Sequence, residues 1–293
     1  MKQTIELRKL RDFGQIISDT FTFFKENFKP LLRSLFVICG VFMLIGVVSS
    51  TATYMNMSSV FNFRAENTYD MQTHTMAYFI SAFVNAIVLL LTQSCIHLVT
   101  LCYISVYLQN DKRQPTLAEV WGFFKYYFWR VLGSSILLVI ISCIGFVFCI
   151  IPGIYLAIVF SLVIPTIVIE NASFGYAFNK SFRLIRDNWW TVFGVIFVMG
   201  LIVGLANGLA STPLSLITLM TRFFTVKSFV LPLIIFFSIL ENILIVTHSL
   251  TAISISMCYF NLSEQKEGTG LMDRIEHFGK TNDESPGLPA EEY

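Results

Sequence analysis

The sequence predicts an all-α polytopic membrane protein: six transmembrane helices, built as three repeats of an interfacial amphipathic helix plus two spans. Three observations predict it. Of 293 residues, 55% are hydrophobic and only 13% charged, with a mean hydropathy of +0.68, well below the charged content of soluble domains. Apolar runs long enough to cross a bilayer, which takes roughly 20 residues, recur six times. A basic and aromatic stretch recurs ahead of the odd-numbered runs.

The runs fall at residues 31–53, 77–108, 131–150, 153–169, 190–211 and 230–260. The third and fourth are divided only by IIPGIY, where Pro152 fixes one φ and Gly153 frees another, so a tight reversal and a helical hairpin are expected there. The second and sixth exceed what a bilayer requires, so they tilt or project as ordered helix. Residues 1–29 contain no apolar core, so the first run is expected to stay as an anchor.

Lys and Arg set the orientation. With the N-terminus inside, every basic residue except Arg64, Arg222 and Lys227 falls on the inner side. Both termini are therefore expected in the cytoplasm. Net charge is +1, so the total points to no nucleic-acid partner; the distribution carries the signal.

The recurring part is clearest in register at Lys25, Lys125 and Arg186: FGQIISDTFTFFKENFKPLL, TLAEVWGFFKYYFWRVL and FGYAFNKSFRLIRDNWWTVF. Ile17, Leu117 and Phe178 align, as do Phe21, Trp121 and Phe182, then Phe24, Phe124 and Ile185, then Phe28, Phe128 and Trp189. These offsets hold each set on one helix face. Each copy reads as an amphipathic helix at the inner interface, aromatics toward acyl chains and cations toward anionic headgroups. Candidate headgroup contacts are Lys25, Lys29, Lys125, Arg130, Lys180, Arg183, Arg186, Trp189 and Trp190. The repeat units span about 13–108, 115–169 and 174–260 within a membrane domain of residues 1–264. The second spans of the outer units share Cys-Tyr, a register that pairs Asn85 with Glu241.

Polar side chains inside apolar runs usually face a bundle interior or a wet cavity. Asn85, Gln93 and His97 lie on the second run, and Glu241, Asn242 and His248 on the sixth. Two readings stay open: a polar pocket for an ion, proton or headgroup, or interhelical hydrogen bonds that fix packing. No His, Cys or carboxylate motif has metal-site spacing, so no metal or cofactor is expected. Cys39, Cys95, Cys102, Cys143, Cys149 and Cys258 all sit in apolar runs without CxxC, which suggests no disulfide framework. GxGxxG, phosphate-loop, GxSxG and HExxH patterns are absent. The connections after the first and fifth runs are short for a catalytic domain. Enzyme activity is not expected. Beyond residue 264, Leu271, Ile275 and Phe278 suggest a short amphipathic helix at 265–279, and 280–293 reads as disordered.

Residues 152–194, PGIYLAIVFSLVIPTIVIENASFGYAFNKSFRLIRDNWWTVFG, carry a resemblance. Pro152, Gly153, Tyr155, Pro165, Glu170, Ala177, Ser181, Leu184, Trp189 and Trp190 match a pattern similar to the membrane domain beside glycerophosphoryl diester phosphodiesterases. Related YciC-like bacterial inner-membrane proteins share it, and the N-terminal stretch and GLMDRIEHFG look similar to Bacteroidota versions. The phosphodiesterase chemistry of such enzymes belongs to an attached soluble barrel, for which this chain has no room. The resemblance implies a bacterial inner-membrane helper, anchor or scaffold, whose partners are anionic lipids and possible membrane or envelope proteins. A small transporter or lipid-translocating bundle, with its substrate near Glu241, His248 and His97, is the other reading; the apparent lack of a broken helix beyond Pro165 weighs against it.

Overall fold

The computed structural model describes residues 5–60, 68–110, 113–148, 150–220 and 227–268. They form ten α-helices: α1 Phe13–Glu26, α2 Phe28–Val60, α3 Thr68–Gln109, α4 Leu117–Phe148, α5 Ile150–Ser161, α6 Val163–Ile169, α7 Phe174–Ile185, α8 Trp189–Met220, α9 Lys227–Leu244 and α10 His248–Glu267. A 3₁₀ turn, Ile245–Thr247, joins α9 to α10. Six helical stretches are long and apolar enough to cross a membrane: Phe28–Met57, Gln72–Gln109, Leu117–Val147, Ile150–Ile169, Trp189–Ile217 and Val230–Glu267. The all-α polytopic architecture is therefore present.

Burial repeats in the aligned register. Leu31, Val131 and Val192 are buried at one aligned position, Ser34, Ser134 and Val195 at the next, and Ile38, Leu138 and Met199 one turn on. Helices α2, α4 and α8 thus turn the same face inward. The second helices of the three units, α3, α6 and α10, contact one another at the centre. The half of α3 nearest α1 and α7 and nearly all of α10 are densely buried, Cys95–Tyr107 and Leu250–Leu262 above all. That end, which also holds residues 5–12 and 170–173, is called basal below.

The first helices depart from the expected uniform pattern. An amphipathic helix separate from its span exists in the first and third copies, α1 and α7, whereas α4 runs unbroken from Leu117 to Phe148. The aligned residue explains the difference. Asn27 ends α1, its Nδ2 donating to the Phe23 carbonyl (3.1 Å); Asn188 stands at the same place before α8, but its Nδ2 donates across to Gln265 Oε1 of α10 (2.9 Å). Short amides compete with the backbone ladder in this way. The second copy has Tyr127 there, which offers no such bond, so the helix continues.

Two spans are broken. Pro165 has no N–H for the Ser161 carbonyl four residues back, and the fourth span parts at Leu162 into α5 and α6. The sixth parts at Ile245–Thr247, where Thr247 Oγ1 donates to the Leu244 carbonyl (2.7 Å) and accepts from Asn207 Nδ2 of α8 (3.3 Å). This second break corrects the expectation that no helix beyond Pro165 is interrupted.

The hairpin of α4 and α5 forms as expected, but Pro152 and Gly153 lie in the first turn of α5, not in the reversal. Proline suits that turn, where its missing N–H costs nothing. Gly153 serves close approach: a Cβ there would lie 2.6 Å from Phe146 Cδ1 and 3.0 Å from its Cα. At the other end, Gly268 closes α10 in the left-handed region (φ 59°), so residues 265–267 of the expected C-terminal helix continue the sixth span. The rest of that helix and the tail 280–293 lie outside the described residues.

Candidate functional site

At the basal rim, cations and aromatics alternate. Lys25, Lys29, Lys125, Arg183 and Arg186 are exposed, as are Trp121, Tyr126, Trp129 and Trp190, the last 77% exposed. Lys125 Nζ stands 5.0 Å over the Trp121 ring, a cation–π contact. Trp189 is half-buried, stacked between Tyr155 and Phe193 at 6.1 and 5.1 Å. Arg130 is half-buried and turned inward: it donates to Asn171 Oδ1 (3.0 Å) and to the Ala172 carbonyl. It thereby holds the loop after α6, where Asn171 takes a positive φ of 51°, a conformation Asn tolerates.

Lys180 differs from its expected place at the headgroups. It is buried on the inner face of α7 with Ala177, Ser181, Leu184 and Ile185. Its Nζ donates to Glu170 Oε1 and to Glu267 Oε2, both at 2.6 Å. Tyr259 also donates to Glu170, Ser263 to Glu267 (3.2 Å), and Arg183 to the other Glu267 oxygen (2.6 Å). Two carboxylates and two cations tie the end of α6, the middle of α7 and the end of α10 into one neutral knot. Burial pulls the Lys180 ammonium down, but its bonds to Glu170 and Glu267 outweigh that and hold it above the ordinary lysine value. Beside the knot, Lys266 donates to Asp187 (2.9 Å) and holds that exposed carboxylate below its usual range.

A second clamp holds the N-terminal segment. The Arg11 side chain is fully buried and pairs with Asp19 (2.8 Å); it also donates to the carbonyls of Leu7 (2.7 Å), Lys9 (3.2 Å) and Glu6. Arg11 N donates to Asn261 Oδ1 of α10 (2.8 Å). Asp19 occupies in α1 the position of Lys180 in α7, so both copies carry a charge on the buried face. Periodicity held the signal: position 180 lies three residues after Ala177 and four before Leu184. The bias toward reading every lysine as a surface charge hid it.

The six intramembrane polar residues do not form one pocket. Gln93 and His97 line a cavity of about 300 Å³ with Ser94, Ser135, Ser161 and Pro165, between α3, α4, the α5–α6 break and α10. His97 Nε2 is buried there without a hydrogen-bond partner. His248 caps the 3₁₀ turn through Nδ1 and the Ile245 carbonyl (3.0 Å). Asn85 on α3 and Glu241 and Asn242 on α9 do not line that cavity; each has a buried side-chain oxygen without a hydrogen-bond partner. Asn242 Nδ2 donates to Ser50 Oγ (3.3 Å) and to the Ser238 carbonyl (2.9 Å). Among the described residues no group of three His, Cys, Asp or Glu side chains is arranged to hold a metal ion.

Bundle, rim and buried polar clusters together define a multi-pass helical membrane protein. The chain belongs to the family described as a domain of unknown function (DUF7847), whose model matches residues 99–261, more than half of the chain. That match runs from the buried half of α3 to Asn261, the residue that receives Arg11. No curated protein and no solved structure matches the chain.

Proposed function

We propose that the protein is a non-enzymatic scaffold or helper of a bacterial inner membrane, with both termini cytoplasmic and anionic lipid held at its basal rim. One observation carries this reading: exposed Lys25, Lys29, Lys125 and Arg186 share one end of the bundle with exposed Trp121, Trp129 and Trp190. Amphipathic aromatics settle at the headgroup level, and each cation near an anionic leaflet contributes about 1 kcal/mol. Lys25, Lys29 and Lys125 form no salt bridge among the described residues, so their charge is available to phosphate. The resemblance to membrane domains beside glycerophosphoryl diester phosphodiesterases and to YciC-like inner-membrane proteins supports the same role, with protein partners in the membrane or envelope.

Nanodiscs test it. Thermal unfolding is expected at higher temperature in phosphatidylglycerol than in phosphatidylcholine, with the difference screened by salt and reduced in a Lys25→Gln, Lys29→Gln, Lys125→Gln, Arg186→Gln variant. Equal unfolding temperatures in both lipids contradict the reading.

The transport alternative gains one observation. The break at Ile245–Thr247 lies within the sixth span, and interrupted helices at such depth recur at transporter sites. A solute that enters the Gln93–His97 cavity and raises the unfolding temperature of wild type but not of His97→Leu favours transport over the scaffold.

A further inference from the structure

We infer that the Gln93–His97 cavity binds one small uncharged polyhydroxy compound. Gln93, Ser94 and His97 lie within about one turn on a single face of α3, and Ser135 faces them from α4. The broken fourth span supplies another wall, because Ser161 and Pro165 flank the interruption at Leu162 and both border the space.

The polar part of this wall lacks partners. Gln93, Ser94 and Ser135 enter no hydrogen bond among the described residues, and within a membrane-spanning bundle no bulk water is at hand to satisfy them. Ser161 spends its hydroxyl proton on the Ile158 carbonyl (2.7 Å). Its own carbonyl has lost the N–H that Pro165 cannot supply, and among the described residues no other backbone N–H reaches it. The two serine hydroxyls and the glutamine amide each give and accept, whereas the Ser161 carbonyl only accepts. An occupant that satisfies this wall must therefore donate as well as accept, as hydroxyl groups do.

Charge and carbon narrow the class further. No Asp, Glu, Lys or Arg lines the cavity, so an ion there would stay unpaired in an apolar surround, at high cost. Water alone fits poorly. The volume of about 300 Å³ is the share of roughly ten liquid waters, each of which needs about two to four polar partners, yet Val131, Phe160, Ile164, Ala252 and Ile255 present only carbon. A polyhydroxy compound carries hydroxyls along its edges and C–H groups on its faces, and so meets both parts of the wall. The inference shares its cavity with the transport alternative but does not require the ligand to cross the membrane, and loss of lipid at the basal rim leaves it standing.

Leu90 lines the cavity and is 57% exposed, so a thiol there reports occupancy. In full-length Leu90→Cys protein, alkylation of position 90 by N-ethylmaleimide, read by peptide mass, is expected to slow in a saturable manner with meso-erythritol or sorbitol, about tenfold at ten times the dissociation constant. Cys143, exposed on α4 and outside the lining, should label at an unchanged rate. Erythronate, which adds a carboxylate at the same chain length as erythritol, should not protect. Gln93→Leu and Ser135→Ala, each combined with Leu90→Cys, should keep the label and lose the protection. In wild type, saturation-transfer NMR should show the protecting polyol in contact with protein methyl groups, and Gln93→Leu should weaken that signal. Labelling equally fast with and without either polyol overturns the inference, as does equal protection by erythronate. A position 90 that never labels, in a protein that gives no transfer signal, overturns it too. Protection without uptake into proteoliposomes supports the binding site and removes the transport alternative.

Discussion

Lys180 joins three helices through two carboxylates, and its removal is expected to cost more than loss of an exposed pair. Lys180→Met leaves Glu170 and Glu267 facing each other; breaking a buried pair costs about 3–5 kcal/mol, and partial solvation of both carboxylates brings the expected loss to about 2 kcal/mol. Thermal unfolding in detergent reads this directly. The pH dependence has a definite sign. A lysine raised above its ordinary value contributes stability that is complete below the unfolded pKa, near 10.5, and lost as pH rises through the folded value. Unfolding temperature should therefore fall above about pH 10.5 in wild type, and Lys180→Met should flatten that fall. Asn27 is a second such point. Tyr103, fully buried, donates to its Oδ1 (3.0 Å), so Asn27→Leu orphans a buried hydroxyl and removes a helix end. A loss of about 1–3 kcal/mol is expected from the hydroxyl alone, measured by denaturation in mild detergent.

At the scale of elements, spacing makes the number of spans and the recurring register legible: the aligned positions of Leu31, Val131 and Val192 are buried alike. What spacing did not show was where helices part. The difference between Asn27 and Asn188 on one side and Tyr127 on the other is a single amide, invisible to a pattern of apolar residues. The break at Ile245–Thr247 has no proline or glycine to announce it and rests on side-chain bonds from Thr247 and Asn207, one of them from another helix. The six polar positions were legible as inward-facing, but that Gln93 and His97 line a cavity while Asn85, Glu241 and Asn242 do not depends on interhelical register, which no single-helix pattern contains. Lys180 was on the right face by periodicity and in the wrong environment by residue type. The α4–α5 hairpin yields its own prediction. Gly153→Ala places a methyl against Phe146, backbone included, and such overpacking costs typically about 1–3 kcal/mol. Hydrogen exchange should rise first in α4 and α5; unchanged protection there would show that the two helices part without strain.

For the molecule as a whole, the three units concentrate packing at the basal end, where α1, α7 and α10 are clamped by Arg11 and Lys180, and leave apolar side chains exposed along the distal halves of α2, α3 and α8. In a bilayer those side chains face lipid, and the clamped end faces headgroups and water. With the basal end cytoplasmic, a fluorescent-protein fusion after residue 293 should fluoresce and an alkaline-phosphatase fusion at the same place should be inactive; the reverse pair places the C-terminus outside. Anionic lipid held at this end is the property from which the proposed role follows. Native mass spectrometry of protein released gently from its own membrane tests it most directly, comparing wild type with the Lys25→Gln, Lys29→Gln, Lys125→Gln, Arg186→Gln variant. Anionic phospholipid should be retained on wild type and largely lost from the variant, while Glu241→Gln keeps it. Equal retention by wild type and the rim variant would contradict it.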